Sequence, residues 1–345
     1  MIHSFLQNLV DVYPTIKLNQ RIAPYTTFNI GGASDYLAIP ESNAQISELI
    51  KVCIRNAIPV KIIGGGSNLI VSDSGFRGLI IINKIESWNI IEDHFNTDSI
   101  YLTQTQSRLS TVGKNFYTTE GLDYQDPPDK RILVNVTSGT RIIPLIKNLF
   151  QHEITGLQWF SGIPASVGGA VYMNMHGGNY YFGDLVYKAK IFNGKDIRTV
   201  DNHYFNFKYD YSILHETRET VLEADLLLYK GDVKKARDLS IDWARRKSLQ
   251  PQRSAGCIFQ NLTPEDQERL KLPTPSIGYL IDKVLGLQGI QKGDALISRN
   301  HAAFIENKGS ATATDVFYLY NLIQEKAKTQ LNLTLKPEVE FVGIF

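Results

Sequence analysis

Pro59-Val60-Lys61-Ile62-Ile63-Gly64-Gly65-Gly66-Ser67-Asn68-Leu69-Ile70-Val71 is the stretch that decides the fold. Two apolar runs of strand length flank three consecutive glycines, a serine and an asparagine. Glycine admits positive φ and close approach to the main chain, so the N–H groups of such a turn can curl round an anion. Two familiar glycine loops are excluded. No Lys-Ser or Lys-Thr follows the glycines, as a Walker loop requires. A strand follows where a dinucleotide fold needs a helix. A phosphate nest between two strands and a plain Gly-rich hairpin remain.

Upstream, residues 35–40 read as a strand ending at Pro40, and Ser42 and Gln45 have capping-box spacing. Ile46, Leu49, Ile50, Cys53 and Ile54 then form one helical stripe, so Cys53 reads as core packing. With the strand over 59–63 this is a β-α-β unit. Downstream, a turn over 73–78 leads to a strand over 79–83. Residues 85–130 are polar, aromatic and poorly periodic, an inserted excursion containing Asp126-Pro127-Pro128-Asp129. Strand character returns at 133–138 and helix at 144–152. Strands and turns alternate over 184–230, and a helix over 234–249 turns Ala236, Leu239 and Trp243 inward. The last helix starts at Thr314, with Val316, Leu319, Ile323 and Ala327 inward. A closing strand over 333–342 puts Leu333, Leu335, Val339 and Phe341 on one face, and Lys336, Glu338 and Glu340 on the other.

A second glycine segment, Ser161-Gly162-Ile163-Pro164-Ala165-Ser166-Val167-Gly168-Gly169-Ala170-Val171-Tyr172-Met173-Asn174, has a proline-fixed turn and small residues against which something flat can lie. A glycine-lined crossing of two strands would explain it without a ligand. Two such segments in one chain favour the ligand.

The length, 345 residues, exceeds one core and implies two or three domains of mixed α+β class. Lys and Arg number 36 against 35 Asp and Glu, a net charge of +1 that argues against coating nucleic acid or an anionic membrane. No apolar run approaches the ~20 residues that span a bilayer, and the N-terminus lacks the basic start of a signal peptide. The two cysteines are far apart, which points to no disulfide framework and to a reducing, cytoplasmic setting. The histidines lack metal-ligand spacing, so no metal is expected.

Thr26-Thr27-Phe28-Asn29-Ile30-Gly31-Gly32, the 64–69 loop and 161–169 resemble the flavin-binding half of the UDP-N-acetylenolpyruvoylglucosamine reductase family. The resemblance continues through Arg253-Ser254-Ala255-Gly256-Cys257-Ile258-Phe259-Gln260-Asn261, Gly278-Tyr279-Leu280-Ile281-Asp282, His301-Ala302-Ala303-Phe304-Ile305 and Pro337-Glu338-Val339-Glu340-Phe341. It runs in family order over nearly the whole chain, with 85–130 the main gap. It implies an α+β fold: a two-part FAD-binding domain of the vanillyl-alcohol-oxidase type plus a smaller α+β substrate domain. The implied division is 1–84 and 85–232 for the two FAD-binding subdomains, 233–330 for the substrate domain, and 331–345 for a strand carrying a catalytic glutamate.

The implied cofactors are FAD and NADPH, and the implied substrate is a nucleotide sugar, reduced to UDP-N-acetylmuramate for peptidoglycan. No protein partner is called for. FAD would be held by Thr27, Gly64, Gly65, Gly66, Ser67, Asn68, Leu69, Ser161, Gly162, Pro164, Gly168, Gly169 and Asn174. Cys257 stands where many relatives have a proton-donating serine; a thiol is a better acid than a hydroxyl and is mostly protonated at neutral pH. Glu338 matches the family's catalytic glutamate, and Gln260, Asn261 and His301 match substrate-side positions. His176, beside two glycines, reads as a turn residue within reach of a flavin.

Tyr209-Asp210-Tyr211-Ser212 departs from the family's Tyr-Arg-x-Ser, where the arginine binds the substrate carboxylate. Either another cation does that work, Lys208 and Arg253 being nearest in sequence, or the correspondence is shifted, or turnover is impaired. Two further readings keep the fold: an FAD-dependent oxidase or dehydrogenase acting on another small molecule, and a flavin-binding protein without turnover.

Overall fold

The computed structural model describes residues 9–11, 13–92, 124–178 and 180–345. Most of the excursion expected over 85–130 lies outside them. Its described start forms a strand that the irregular pattern did not announce.

The first part is a four-stranded sheet. Strand β1 (Lys17–Arg21) pairs antiparallel with β2 (Ala33–Ala38), while β2, β5 (Phe76–Ile82) and β3 (Val60–Ile63) run parallel in that order. A parallel strand covered on both faces needs no polar alternation, and β5 ends in Leu79-Ile80-Ile81-Ile82. Leu79 and Ile81 pack under helix α1 (Asn43–Arg55), whereas Ile80 and Ile82 face Leu37, Ile63 and Val342. Ser42 Oγ accepts from Gln45 N, but Gln45 Oε1 reaches back to Glu41 N, so half of the expected capping box forms. Val52 is buried in place of Ile54, which is 56 % exposed. At 3.6 residues per turn, Ile54 lies roughly 90° from the centre of the buried arc, toward its edge.

The second part is an antiparallel sheet ordered β11-β10-β12-β7-β6, from β6 (Trp88–Glu92), β7 (Arg131–Thr137), β10 (Val186–Phe192), β11 (Ile197–Asp201) and β12 (Thr220–Tyr229). Helices α2 (Ile142–Gln151) and α3 (Val167–Met173) share its core with Trp159, Phe160 and Trp243. Helix α3 occupies the second glycine segment, where sequence left a strand crossing open; Ser166 caps it by accepting from Gly169 N. Phe192 and Leu222 join the core beneath α1, which ties the two parts together.

Helix α4 (Val233–Ser248) presents Ala236, Leu239 and Trp243 inward, as its spacing requires. The third core gathers around α5 (Ala313–Leu331), a short sheet that includes β15 (Ile305–Asn307), and residues Phe28, Ile30 and Ile70 from the first part. Thr312 and Asp315 form a complete capping box at its start, and Asp73 also accepts from Ala313 N and Thr314 N. The closing strand is shorter than expected: only β16 (Glu340–Val342) forms, parallel to β4 (Leu69–Val71). Pro337 has no N–H for a longer ladder, and the preceding segment touches Phe259 in a single bridge. Among the described residues, no helix is long and apolar enough to cross a membrane.

Candidate active site

A cleft of about 470 Å³ is lined from all three parts of the chain. The glycine loop forms one wall. A Cβ on Gly65 would lie 2.3 Å from the Pro164 carbonyl oxygen, and one on Gly66, at φ +63°, 2.0 Å from that of Tyr25. The loop is thus pressed between two backbones that only glycine lets meet. The N–H groups of Gly65, Gly66 and Ser67 have no acceptor among the described residues. Three free donors in a cavity-lining turn suit the pyrophosphate of FAD. Thr27 N and Oγ1 bond Gly66 O at 3.1 and 3.4 Å, and Oγ1 also donates to Ser254 O at 2.7 Å, joining this wall to the Cys257 segment.

The second glycine segment contributes Gly162, Pro164, Gly168 and Gly169 to the lining. Their roles differ. A Cβ on Gly168 would strike Ser138 at 2.9 Å, so glycine there serves packing. One on Gly169 meets only Ser166 Oγ at 3.5 Å, which leaves that face free for a flat group. Ser161 and Asn174 do not reach the cleft. Ser161 Oγ is buried against Ser240 Oγ at 2.5 Å. Asn174 Nδ2 donates to Lys208 O and its Oδ1 accepts from Gly183 N, which anchors the loop carrying Asp210. Asn68 lines the cleft, yet its Nδ2 donates to Glu338 O at 2.9 Å and so positions that residue.

Cys257 and Glu338 come together at the far end. Ile258 N bonds Ala303 O and Glu338 N bonds Ile258 O at 3.0 Å, so the Cys257 strand lies between two neighbours. Burial, then the Glu338 carboxylate, pushes the Cys257 thiol well above its usual range, with Lys247 opposing. Burial, then Asp210, raises Glu338 likewise. The thiol therefore keeps its proton at neutral pH. Burial pulls the Lys247 ammonium down, against Cys257 and Glu338, which hold it up. Tyr209, pushed up chiefly by burial, stays a neutral phenol.

The cation at this end is Lys247, which sequence did not single out. Lys208 is exposed with its Nζ over the Tyr211 ring, and Arg253 is exposed too. The signal for Lys247 was periodicity: it follows Trp243 by four residues on the inward stripe of α4, and its Nζ sits 5.3 Å from that ring. Asp210, at φ +48°, lines the cleft beside His176, with Oδ1 and Nδ1 3.0 Å apart. Gln260 and Asn261 stand outside the lining. Gln260 N bonds Lys336 O, and Asn261 Nδ2 donates to the Tyr209 hydroxyl at 3.4 Å. His301 lies behind the cleft, its pKa lowered to about 4 by burial and by the charge of Lys247. No cluster of metal-ligating side chains occurs among the described residues.

A glycine turn with free N–H donors, an open face for a flat ring and buried acid groups at one end suit an FAD-binding oxidoreductase of α+β fold. Known proteins agree. Residues 34–99 match the FAD binding domain family, and residues 249–342 match the family described as UDP-N-acetylenolpyruvoylglucosamine reductase, C-terminal domain. Proteins named UDP-N-acetylenolpyruvoylglucosamine reductase from Latilactobacillus sakei and Bacillus pumilus are each 32 % identical, over 95 % and 94 % of this chain and 93 % of their own. The crystal structure of the reductase from Thermus caldophilus superposes with a TM-score of 0.67 at 27 % identity, covering 95 % of this chain and 98 % of that one. The chain belongs to the UDP-N-acetylenolpyruvoylglucosamine reductase family.

Proposed function

We propose that this enzyme reduces UDP-N-acetylglucosamine enolpyruvate to UDP-N-acetylmuramate with NADPH, in the cytoplasm, for peptidoglycan synthesis. The observation that carries the reading is the meeting of Cys257, Glu338 and Lys247 in one cleft walled by the two glycine segments. Bound FAD supplies the relay of a hydride from NADPH to the substrate's double bond. Thr27, the 64–69 loop, Gly162, Pro164, Gly168 and Gly169 would hold it. Domain limits near residues 84, 232 and 330 suit this division of labour.

The chain's own groups handle charge and the proton. With the hydride on the methylene carbon, an electron pair moves onto the carbon bearing the carboxylate. The C–H bond there forms as the Cys257 S–H bond breaks, leaving a thiolate that Lys247 steadies and solvent reprotonates. Glu338, its carboxyl pushed up by burial, hydrogen-bonds the enolate oxygen in its protonated form. Net, NADPH, a proton and the enolpyruvyl ether become NADP⁺ and the lactyl ether. NADPH consumption by the FAD-loaded protein without oxygen is expected only when the substrate is present. Cys257→Ala should lower it by about 100-fold, and Cys257→Ser should recover most of it. Substrate-independent consumption driven by oxygen would instead support an oxidase.

A further inference from the structure

The reductase reading leaves a charge problem in this cleft, and the inference here rests on that reading. The substrate arrives with a carboxylate and gains further negative charge as it is reduced. The groups meeting it include Cys257, Glu338 and Asp210, all potential acids, against Lys247. Three acids against one lysine make a poor seat for a buried carboxylate.

Asp210 is built into the molecule at some cost. Its side chain is 4 % exposed, and its backbone sits at φ +48°, a turn conformation that Asp adopts more readily than most residues. One oxygen lies 3.0 Å from His176 Nδ1, and the other has no hydrogen-bond partner among the described residues. A carboxyl group removed from water needs a partner, and the imidazole is the side chain in hydrogen-bond contact with it. His176 differs from Asp210 in reaching the light: its side chain is 27 % exposed, and it lines the cleft. The Tyr209 ring, 5.4 Å away, and the Tyr181 ring, 6.2 Å away, fix its plane. With Nδ1 engaged by Asp210, Nε2 is the ring nitrogen left for another partner. Asn174, holding Lys208 O, keeps the Asp210 loop in register with the strand that carries His176.

We propose that His176, oriented by its contact with Asp210, receives the carboxylate of the enolpyruvyl substrate and steadies the enolate formed from it. His176 is then a catalytic residue and Asp210 a positioning residue.

The test uses the full FAD-loaded chain and two readouts. His176→Gln keeps a hydrogen bond to Asp210 and removes the imidazole; Asp210→Asn keeps the shape and removes the carboxyl group. Calorimetric titration of the oxidised protein with UDP-N-acetylglucosamine enolpyruvate, without NADPH, should show about 10-fold weaker binding for His176→Gln. Reoxidation of the reduced flavin by this substrate should slow by about 100-fold in His176→Gln. Asp210→Asn should lower kcat more than it raises KM, since the imidazole remains to touch the substrate. Flavin content and Tm, unchanged in both, show that the fold survives. Wild-type turnover with both variants unaffected, or a loss confined to Lys247→Met, overturns the role of His176 and leaves the reductase reading standing. A wild type never reoxidised by the substrate overturns both.

Discussion

Cys257, Glu338 and Lys247 are shifted from their ordinary titration chiefly by shared burial, not by residue type alone. That is why the motif around Cys257 was legible in the sequence and its electrostatic partner was not. The Ser-Ala-Gly-Cys segment is local, whereas Lys247 comes from a helix ten residues upstream whose inward stripe continues past the expected apolar positions. Asp210 was visible as a departure, but its partner His176 is set by a turn 34 residues away. His301 gives a measurable consequence. Its imidazole stays neutral down to about pH 4 in the folded chain, against 6.5 as its ordinary value. Between those values the unfolded chain binds more protons, so stability falls as the pH is lowered through that window, by at most about 3 kcal/mol. Denaturant unfolding at pH 7 and pH 5 should show that loss, and His301→Asn should flatten it. An equal slope in the variant would place the titration elsewhere.

Among the elements, the β-strand, glycine loop, β-strand order was read correctly because its signals are local: apolar runs, punctuating glycines and no helix between. The second glycine segment was harder. Small residues fit a close crossing and a short helix equally well, and the decision came from Ser166, whose hydroxyl caps α3. The two segments predict different tolerance to a methyl group. Gly65→Ala would drive a Cβ to within 2.3 Å of a backbone oxygen, which cannot move aside cheaply. It should displace the loop and weaken FAD binding by at least about ten-fold, seen as flavin lost on dilution and gel filtration. Gly169→Ala makes only an ordinary contact with protein. Any loss of flavin there would come from the ligand itself lying on that face. Retention of full flavin affinity in Gly65→Ala would remove the glycine loop from the account of cofactor binding.

At the scale of the whole molecule, the α+β class and the order of the parts followed from composition, periodicity and motif order. The pairing of β16 with β4, across some 270 residues, did not, because nothing local to either strand names its partner. That pairing carries the most function: it brings Glu338 to Asn68 and to the strand of Cys257, so the proton-holding end of the cleft exists only when all three cores have assembled. The central claim is that this assembled cleft reduces an enolpyruvyl double bond. The most direct measurement is stopped-flow absorbance of the flavin in protein reduced with one equivalent of NADPH under argon, then mixed with UDP-N-acetylglucosamine enolpyruvate. The account predicts rapid return of the oxidised flavin spectrum in the wild type, with one product formed per flavin, and a rate about 100-fold lower in Cys257→Ala. A flavin that stays reduced in the wild type, yet reoxidises promptly in air, would contradict it.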